Sequence, residues 1–442
     1  MTHDLEQLRY SFEQTQMVFP VGRVTRVRGG LIDIAGLADV ARIGDRVRIL
    51  GQIGATISTE VLQINEGVIS ALPERTPTGV ALGDRATLLP TRSFEPSEDW
   101  IGRVVDPDGR PMDGTPLSVG LGAVDVMAAA PPAAKRQPMG TRMDTGFAIL
   151  NTMLPIVSGQ RIGLFAGSGV GKSQLLAHLA RNMEADVVVL ALIGERGREL
   201  NDFVTTVLGP EGMSRTVVVA ATSDQSALTR RRCAWSAMAV AEYFRDQGKS
   251  VLLLADSVTR FAEAHREIAI AGGEAPALRG FPPSVNSLIT GLCERSGPGV
   301  VGAGSITAVF SVLVAGSDMD EPIADILRGV LDGHVVLSRE IAERGRFPAI
   351  DVSRSVSRSL PAAATEDENA DILMARQLLG AYEQSEVMIK AGLYVEGSDP
   401  VLDHAVRAWP ELDAFFSRQD SGGISASFDR LKLILRRSAR SG

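Results

Sequence analysis

Residues 166–173 read Ala-Gly-Ser-Gly-Val-Gly-Lys-Ser, a spacing whose chemistry is anion binding. Gly167, Gly169 and Gly171 let backbone N–H groups turn inward around a phosphate, with Ser168 and Val170 filling the turn between them. Lys172 is spaced to reach β- and γ-phosphates, and the Ser173 hydroxyl to ligate Mg²⁺. An apolar run, Arg161 to Phe165, precedes this loop, and a helical run opening at Gln174 follows it. Strand, glycine-rich turn and helix are the context such a loop needs, because the helix N-terminus adds its positive end. Ala166 departs from the pattern, standing where its first glycine is expected, so the turn must tolerate a Cβ there. A chance glycine-rich turn is the plainer explanation, but the lysine, the serine and both flanking elements agree on a nucleoside triphosphate.

Two carboxylates have the spacing to complete such a site. Val251 to Asp256 is an apolar strand pattern ending in an acid, and in phosphate-loop enzymes that aspartate holds Mg²⁺ and its waters. Alone, an aspartate after a hydrophobic strand is more often a turn residue. Its place some eighty residues beyond the loop, in an alternating α/β region, favours the metal. Glu195 follows the strand run Val187 to Leu192. It therefore sits at the carboxyl end of a sheet strand, where open α/β sheets bind ligands. There it would orient the attacking water, or it is simply a charge at a solvated helix start. The segment alone leaves both open.

The elements that must position these groups fall into distinct stretches. Residues 1–20 are polar, with Leu5, Leu8 and Phe12 at helical spacing. They form either a frayed terminus or a helix that docks on a partner. Residues 21–90 carry short alternating runs with glycine turns, the pattern of a small β-barrel. Residues 91–365 open on a proline- and glycine-punctuated approach and continue as apolar strands alternating with helices. That alternation predicts a mostly parallel sheet covered on both faces. Residues 366–442 turn helical, over Asp367–Gly392, Leu402–Arg418 and, after a glycine-serine break, Ser427–Arg437. The fold class is thus an α/β core with a small N-terminal β-barrel and a C-terminal helical domain. About three domains also suit the 442-residue length.

Composition excludes several functions. A net charge of −8 and the lack of an aromatic-studded basic patch argue against nucleic acid as a partner. No N-terminal apolar stretch follows a basic segment, so no signal peptide is expected. The longest apolar run, Val187 to Ile193, falls far short of the ~20 residues of a membrane span. Cys233 and Cys293 sit in apolar runs and read as reduced core thiols of a cytoplasmic protein. Lys432, Arg436, Arg437 and Arg440 make the last helix basic, suiting anionic lipid, an acidic partner or plain solvation.

Gly194-Glu195-Arg196-x-Arg198-Glu199, together with the loop and Asp256-Ser257-Val258-Thr259-Arg260, resembles the catalytic subunit of rotary ATPases. Within that superfamily, Ala221 to Ser226 with Arg230-Arg231-Arg232 is similar to the ATPases of type III protein export. So are Arg260 to Glu267, Leu278 to Ser284, Gly304 to Ala308 and Asp325 to Arg344. The resemblance spans Val21 to Gln419, in matching order, and implies a RecA-like core that binds ATP and Mg²⁺.

It also implies roles. Glu195 would be the catalytic carboxylate, with Arg196 beside it, and Arg260 would brace the phosphate region. Arg358 matches an arginine finger supplied by one subunit to its neighbour's γ-phosphate. Phe347 matches the aromatic that stacks on adenine. Without the resemblance, Phe347 reads as core and Arg358 as surface charge. The family implies a homohexamer that is monomeric at low concentration. Its implied partners are a stator-like regulatory protein on the N-terminal segment, a stalk-like coiled-coil protein, export-gate membrane proteins and chaperone–substrate complexes. It would be cytoplasmic and peripherally attached to the inner membrane at the flagellar base. The Leu254–His265 stretch looks more flagellar than like the virulence-secretion version, and the chemistry of the two is the same. A catalytic subunit of an ion-translocating synthase is a further alternative. Glu195 and Arg358 coexist in this chain, as a homomeric ring requires.

Overall fold

The computed structural model describes residues 18–439 except 52, 53, 55, 91, 92, 119, 121, 315–318, 320 and 421. The Leu5, Leu8 and Phe12 stripe and Arg440 lie outside the described residues. Six strands follow from the alternating runs: β1 (Val21–Arg28), β2 (Leu31–Ala35), β3 (Arg46–Leu50), β4 (Thr56–Asn65), β5 (Val68–Pro73) and β6 (Arg85–Leu88). They close in the order β1-β2-β5-β4-β3-β6. In β3, Val47 and Ile49 point inward while Arg46, Arg48 and Leu50 point out, the period-two alternation of a sheet with one buried face. Closure leaves no unpaired edge among these strands.

The second sheet runs β15-β14-β8-β13-β11-β9-β10-β7, with β12 added on β13. Its strands are β7 (Val104–Val105), β8 (Arg161–Ala166), β9 (Val187–Glu195), β10 (Thr216–Thr222), β11 (Ser250–Asp256), β12 (Gly297–Pro298), β13 (Ser305–Leu313), β14 (Gly333–Leu337) and β15 (Ile350–Ser357). All pairings are parallel except β14–β15 and β12–β13. The first eight residues of β9 are buried, as a strand covered on both faces must be. Between the strands lie helices α1 (Ala148–Thr152), α2 (Lys172–Asn182), α3 (Gly197–Asp202), α4 (Gly209–Met213), α5 (Ala227–Asp246), α6 (Val258–Ala271), α7 (Ser284–Arg295), α8 (Pro322–Val330) and α9 (Arg339–Glu343). One core on each sheet face results. Cys233 and Cys293 are buried and free.

Three helices follow: α10 (Glu366–Lys390), α11 (Pro400–Phe416) and α12 (Gly423–Ala439). A capping box between Thr365 and Glu368 starts α10. Asp399 caps α11, with Pro400 at its first position. The last helix begins four residues earlier than its apolar pattern predicts. Asp420 explains this, accepting from Gly422 N and the Ser427 hydroxyl and so ordering the glycine segment. The apolar faces of these helices share one core with α2 and a face of the sheet, joining Ile372, Leu378, Leu412 and Leu431 to Leu164 and Leu176. Glu60 of β4 accepts from Arg231 and Arg232 of α5, each at 3.0 Å, tying the barrel to the core. Among the described residues, no helix is long and apolar enough to cross a membrane.

Candidate nucleotide-binding and hydrolysis site

The loop leaves β8 and enters α2 at Lys172. Gly169 (φ 76°) and Gly171 (φ 88°) take the left-handed backbone that only glycine adopts cheaply. Gly167 keeps an ordinary backbone, so two of the three glycines carry the turn. Ala166 is the last residue of β8 and its carbonyl accepts from Val314 N. A residue in regular strand pairing accommodates a Cβ, which is why the departure is tolerated. The unpaired N–H groups at the start of α2, around Lys172, Ser173 and Gln174, face the loop as a helix-end anion site.

Asp256 ends β11 and is buried, and its bond to Ser257 is cis. Lys172 Nζ forms an ion pair with Asp256 Oδ1. Glu195 is brought alongside by a bulge. Ala221 pairs with Ile193, but Thr222 pairs with Glu195, so Gly194 is the extra residue, at φ 73°. The kink re-aims the following side chain. Ser173, Glu195, Glu199 and Asp256 line one cavity of about 170 Å³. Burial, and then the charge of Asp256, push the Glu195 carboxyl up to about 7 against the opposing pull of Lys172. A group titrating there is poised to take or position a proton at neutral pH. The hydroxyl of Ser173 and the carboxylate of Asp256 are hard oxygen donors, the set Mg²⁺ takes alongside phosphate oxygens.

Phe347 is 50% exposed and is not a core residue. Its ring lies against Gly171, where a Cβ would come within 3.1 Å of Cδ1. Arg260, on the first turn of α6, donates to Glu263 at 2.9 Å and flanks Gly194. Arg196 precedes α3, and its side chain is 80% exposed beside Glu199. Arg358 stands apart. β15 is antiparallel to β14, with Ser357 opposite Gly333, so Arg358 lies at the amino end of the parallel strands. Its backbone N donates to Asp332 O and its Nη2 to Arg328 O. The phosphate loop is at the opposite edge. Two polar contacts escaped the sequence reading. The Ser311 hydroxyl donates to Asp256 Oδ1 at 2.7 Å, and Thr259 Oγ1 accepts from Leu313 N at 2.9 Å. For Ser311 the one sequence signal is a hydroxyl interrupting an apolar strand; Thr259, in the first turn of α6, carried none.

Sheet order and loop together define a phosphate-loop nucleotide-binding protein with a β-barrel before the core and a helical domain after it. The model of the ATP synthase alpha/beta family, nucleotide-binding domain, matches residues 146–357, and that of the T3SS EscN ATPase C-terminal domain matches residues 364–431. The flagellum-specific ATP synthase of Caulobacter vibrioides is 44% identical over 423 residues, covering 94% of this chain and 95% of that one. The type 3 secretion system ATPase of Pseudomonas syringae pv. tomato is 42% identical over 410 residues, covering 90% and 89%. The assembled ATPase EscN of the enteropathogenic E. coli type III secretion system superposes with a TM-score of 0.87 at 36% identity, over 94% of this chain and 100% of that one. In complex with its central stalk EscO, EscN superposes at 0.85, with the same identity and coverage. The chain belongs to this family of flagellum-specific and type III secretion ATPases.

Proposed function

We propose that the chain hydrolyses Mg·ATP to power flagellar type III protein export, with its active sites at the interfaces of a homohexameric ring. The supporting observation is the convergence of Lys172, Ser173, Glu195 and Asp256 at the carboxyl ends of β8, β9 and β11. Lys172 and the loop amides hold the phosphates, and Phe347, its exposed ring against Gly171, is the aromatic that would stack on adenine. Ser173 and Asp256 would hold Mg²⁺ and its waters, and the ion would supply positive charge against the phosphoryl oxygens. Glu195 orients the attacking water, with Arg196 and Arg260 flanking it, and Arg358 acts on the neighbouring subunit's nucleotide.

The implied organisation is a docking segment at 1–20, a barrel at 21–90, the hydrolysing core at 91–365 and helices at 366–442. A stalk-like coiled-coil protein is its partner; the solved EscN assembly is in complex with its central stalk, EscO. A stator-like regulator, the export gate and chaperone–substrate complexes complete the set, and attachment at the flagellar base is peripheral. The virulence-secretion relatives share this chemistry, and the flagellar assignment follows the Leu254–His265 stretch.

Specific activity measured against protein concentration tests the interface-built site. Activity per chain is expected to rise with concentration as rings assemble, and Glu195→Gln to bind nucleotide without turning it over. A specific activity flat with concentration would overturn the shared site, and an active Glu195→Gln the assigned carboxylate.

A further inference from the structure

Strand β13 lies between the phosphate-loop strand β8 and the Asp256 strand β11. Ser311 sits beside Leu164 of β8, one residue beyond the pairing of Phe310 with Ala255. Its strand is apolar apart from Ser305, Thr307 and Ser311. Thr307 serves the fold, accepting from Gly159 N at 2.9 Å. Ser311 is 0% exposed, and its hydroxyl donates to Asp256 Oδ1 at 2.7 Å. A buried hydroxyl is retained where it makes a hydrogen bond, since an unpaired one is costly. This bond goes to the carboxylate at the centre of the site.

Lys172 Nζ meets the same oxygen, but an ammonium that also serves phosphate is a shared anchor. The Ser311 hydroxyl has no phosphate to serve. A donor fixed to Oδ1 sets the plane of the carboxylate and leaves Oδ2 for other bonds. The end of β13 is itself braced by the bond from Leu313 N to Thr259 Oγ1, across the turn that follows Asp256. We propose that Ser311 is a positioning residue for hydrolysis: its buried hydroxyl orients Asp256 so that Oδ2 is presented to the water shell of Mg²⁺. This rests on the reading of Asp256 as the carboxylate of that shell.

Ser311→Thr and Ser311→Val are near-isosteric and differ in the hydroxyl, so a comparison of the two isolates the bond from the packing. Each full-length variant, with the parent, Ser311→Ala and Asp256→Asn, is titrated with a fluorescent ATP analogue in EDTA and at graded free Mg²⁺. ATP hydrolysis is followed over the same Mg²⁺ range. In EDTA, the Thr and Val variants bind alike. With Mg²⁺, Ser311→Val and Ser311→Ala need roughly tenfold more ion for half-maximal binding and turnover, as befits one hydrogen bond to a charged group. Ser311→Thr stays near the parent. Equal Mg²⁺ dependence in Thr and Val variants overturns the role of Ser311. A loss of affinity in Ser311→Val as large in EDTA as in Mg²⁺ also overturns it, by making the residue a packing element. Should Asp256→Asn keep the parent's Mg²⁺ dependence, the underlying reading of Asp256 fails instead.

Discussion

Glu195 owes its direction to the residue before it. Gly194 occupies a left-handed backbone, and a Cβ there would meet Arg230 and Arg260 at 3.4 and 3.5 Å. A regular strand would carry Glu195 into register with the wrong residue of β10, on the other face. Once the bulge has turned it into the cavity, burial and Asp256 raise its carboxyl to about 7. The sign for catalysis follows from its proposed role. A residue that positions or deprotonates water acts in its charged form, so acidification through that value switches it off. For ATP hydrolysis, kcat/KM, which reports the free enzyme, is expected to show an acid limb with its midpoint near 7. Stopped assays across neutral pH check this, and a flat profile would remove Glu195 from the water-positioning role. Lys172, Ser173 and Asp256 were legible in the sequence because their spacing is dictated by local geometry, a tight turn or a strand end. Ser311 was not, because its meaning comes from a neighbouring strand more than fifty residues away in sequence.

The loop is only as rigid as helix α2 behind it, and α2 is held by an uncommon core residue. His178 is buried on its inner face, with its ring tilted against Phe147 at 3.7 Å between centroids. Burial lowers its pKa below the ordinary 6.5, and the charge of Arg181 adds to this. His265 and His334 are lowered as well, also chiefly by burial. A depressed histidine pKa means that the unfolded chain binds the proton more tightly. Stability is therefore lost as pH falls below 6.5. In His178→Gln, which cannot take up the proton, the unfolding midpoint is expected to fall less steeply on the acid side than in the parent. The slope should shrink by at most about 1.4 kcal/mol per pH unit, one proton's worth. Differential scanning across that range measures it, and identical slopes would mean that His178 is protonated in the fold. At this scale the sequence was readable where a period was clean. Alternation announced the barrel, and continuous apolar runs the parallel strands. It misjudged the start of α12, where an aspartate caps a glycine pair, and it could not say that the C-terminal helices share a core with the sheet. Surface apolarity marks a buried face without naming what covers it.

Across the whole molecule the antiparallel direction of β15 is decisive. Arg358 N bonds to Asp332 O, and Asp332 in turn bonds to Arg161 at the start of β8. From Arg161 to Ala166 the strand advances about 16 Å, at about 3.3 Å per residue. That separation is too long for one side chain, so Arg358 does not serve its own phosphate loop. A residue matching an arginine finger but carried on the far edge of the sheet acts on a second copy or not at all. In a head-to-tail ring every interface then joins one chain's loop to the next chain's Arg358. Arg358→Ala and Glu195→Gln damage opposite sides of that interface. Each alone is expected to be inactive while still binding ATP. Mixed one to one and allowed to exchange, the two form some interfaces with an intact Glu195 from one parent and an intact Arg358 from the other. Random assembly makes these about a quarter of the total, so the mixture should recover up to about a quarter of parental activity. Steady-state hydrolysis of the mixture against each mutant alone measures it. Recovery fixes the site between chains, because no single chain in the tube carries both residues. With both mutants inactive and no recovery from rings that have exchanged subunits, Arg358 would be confined to its own chain, held on the Arg328 carbonyl as a bond of the fold.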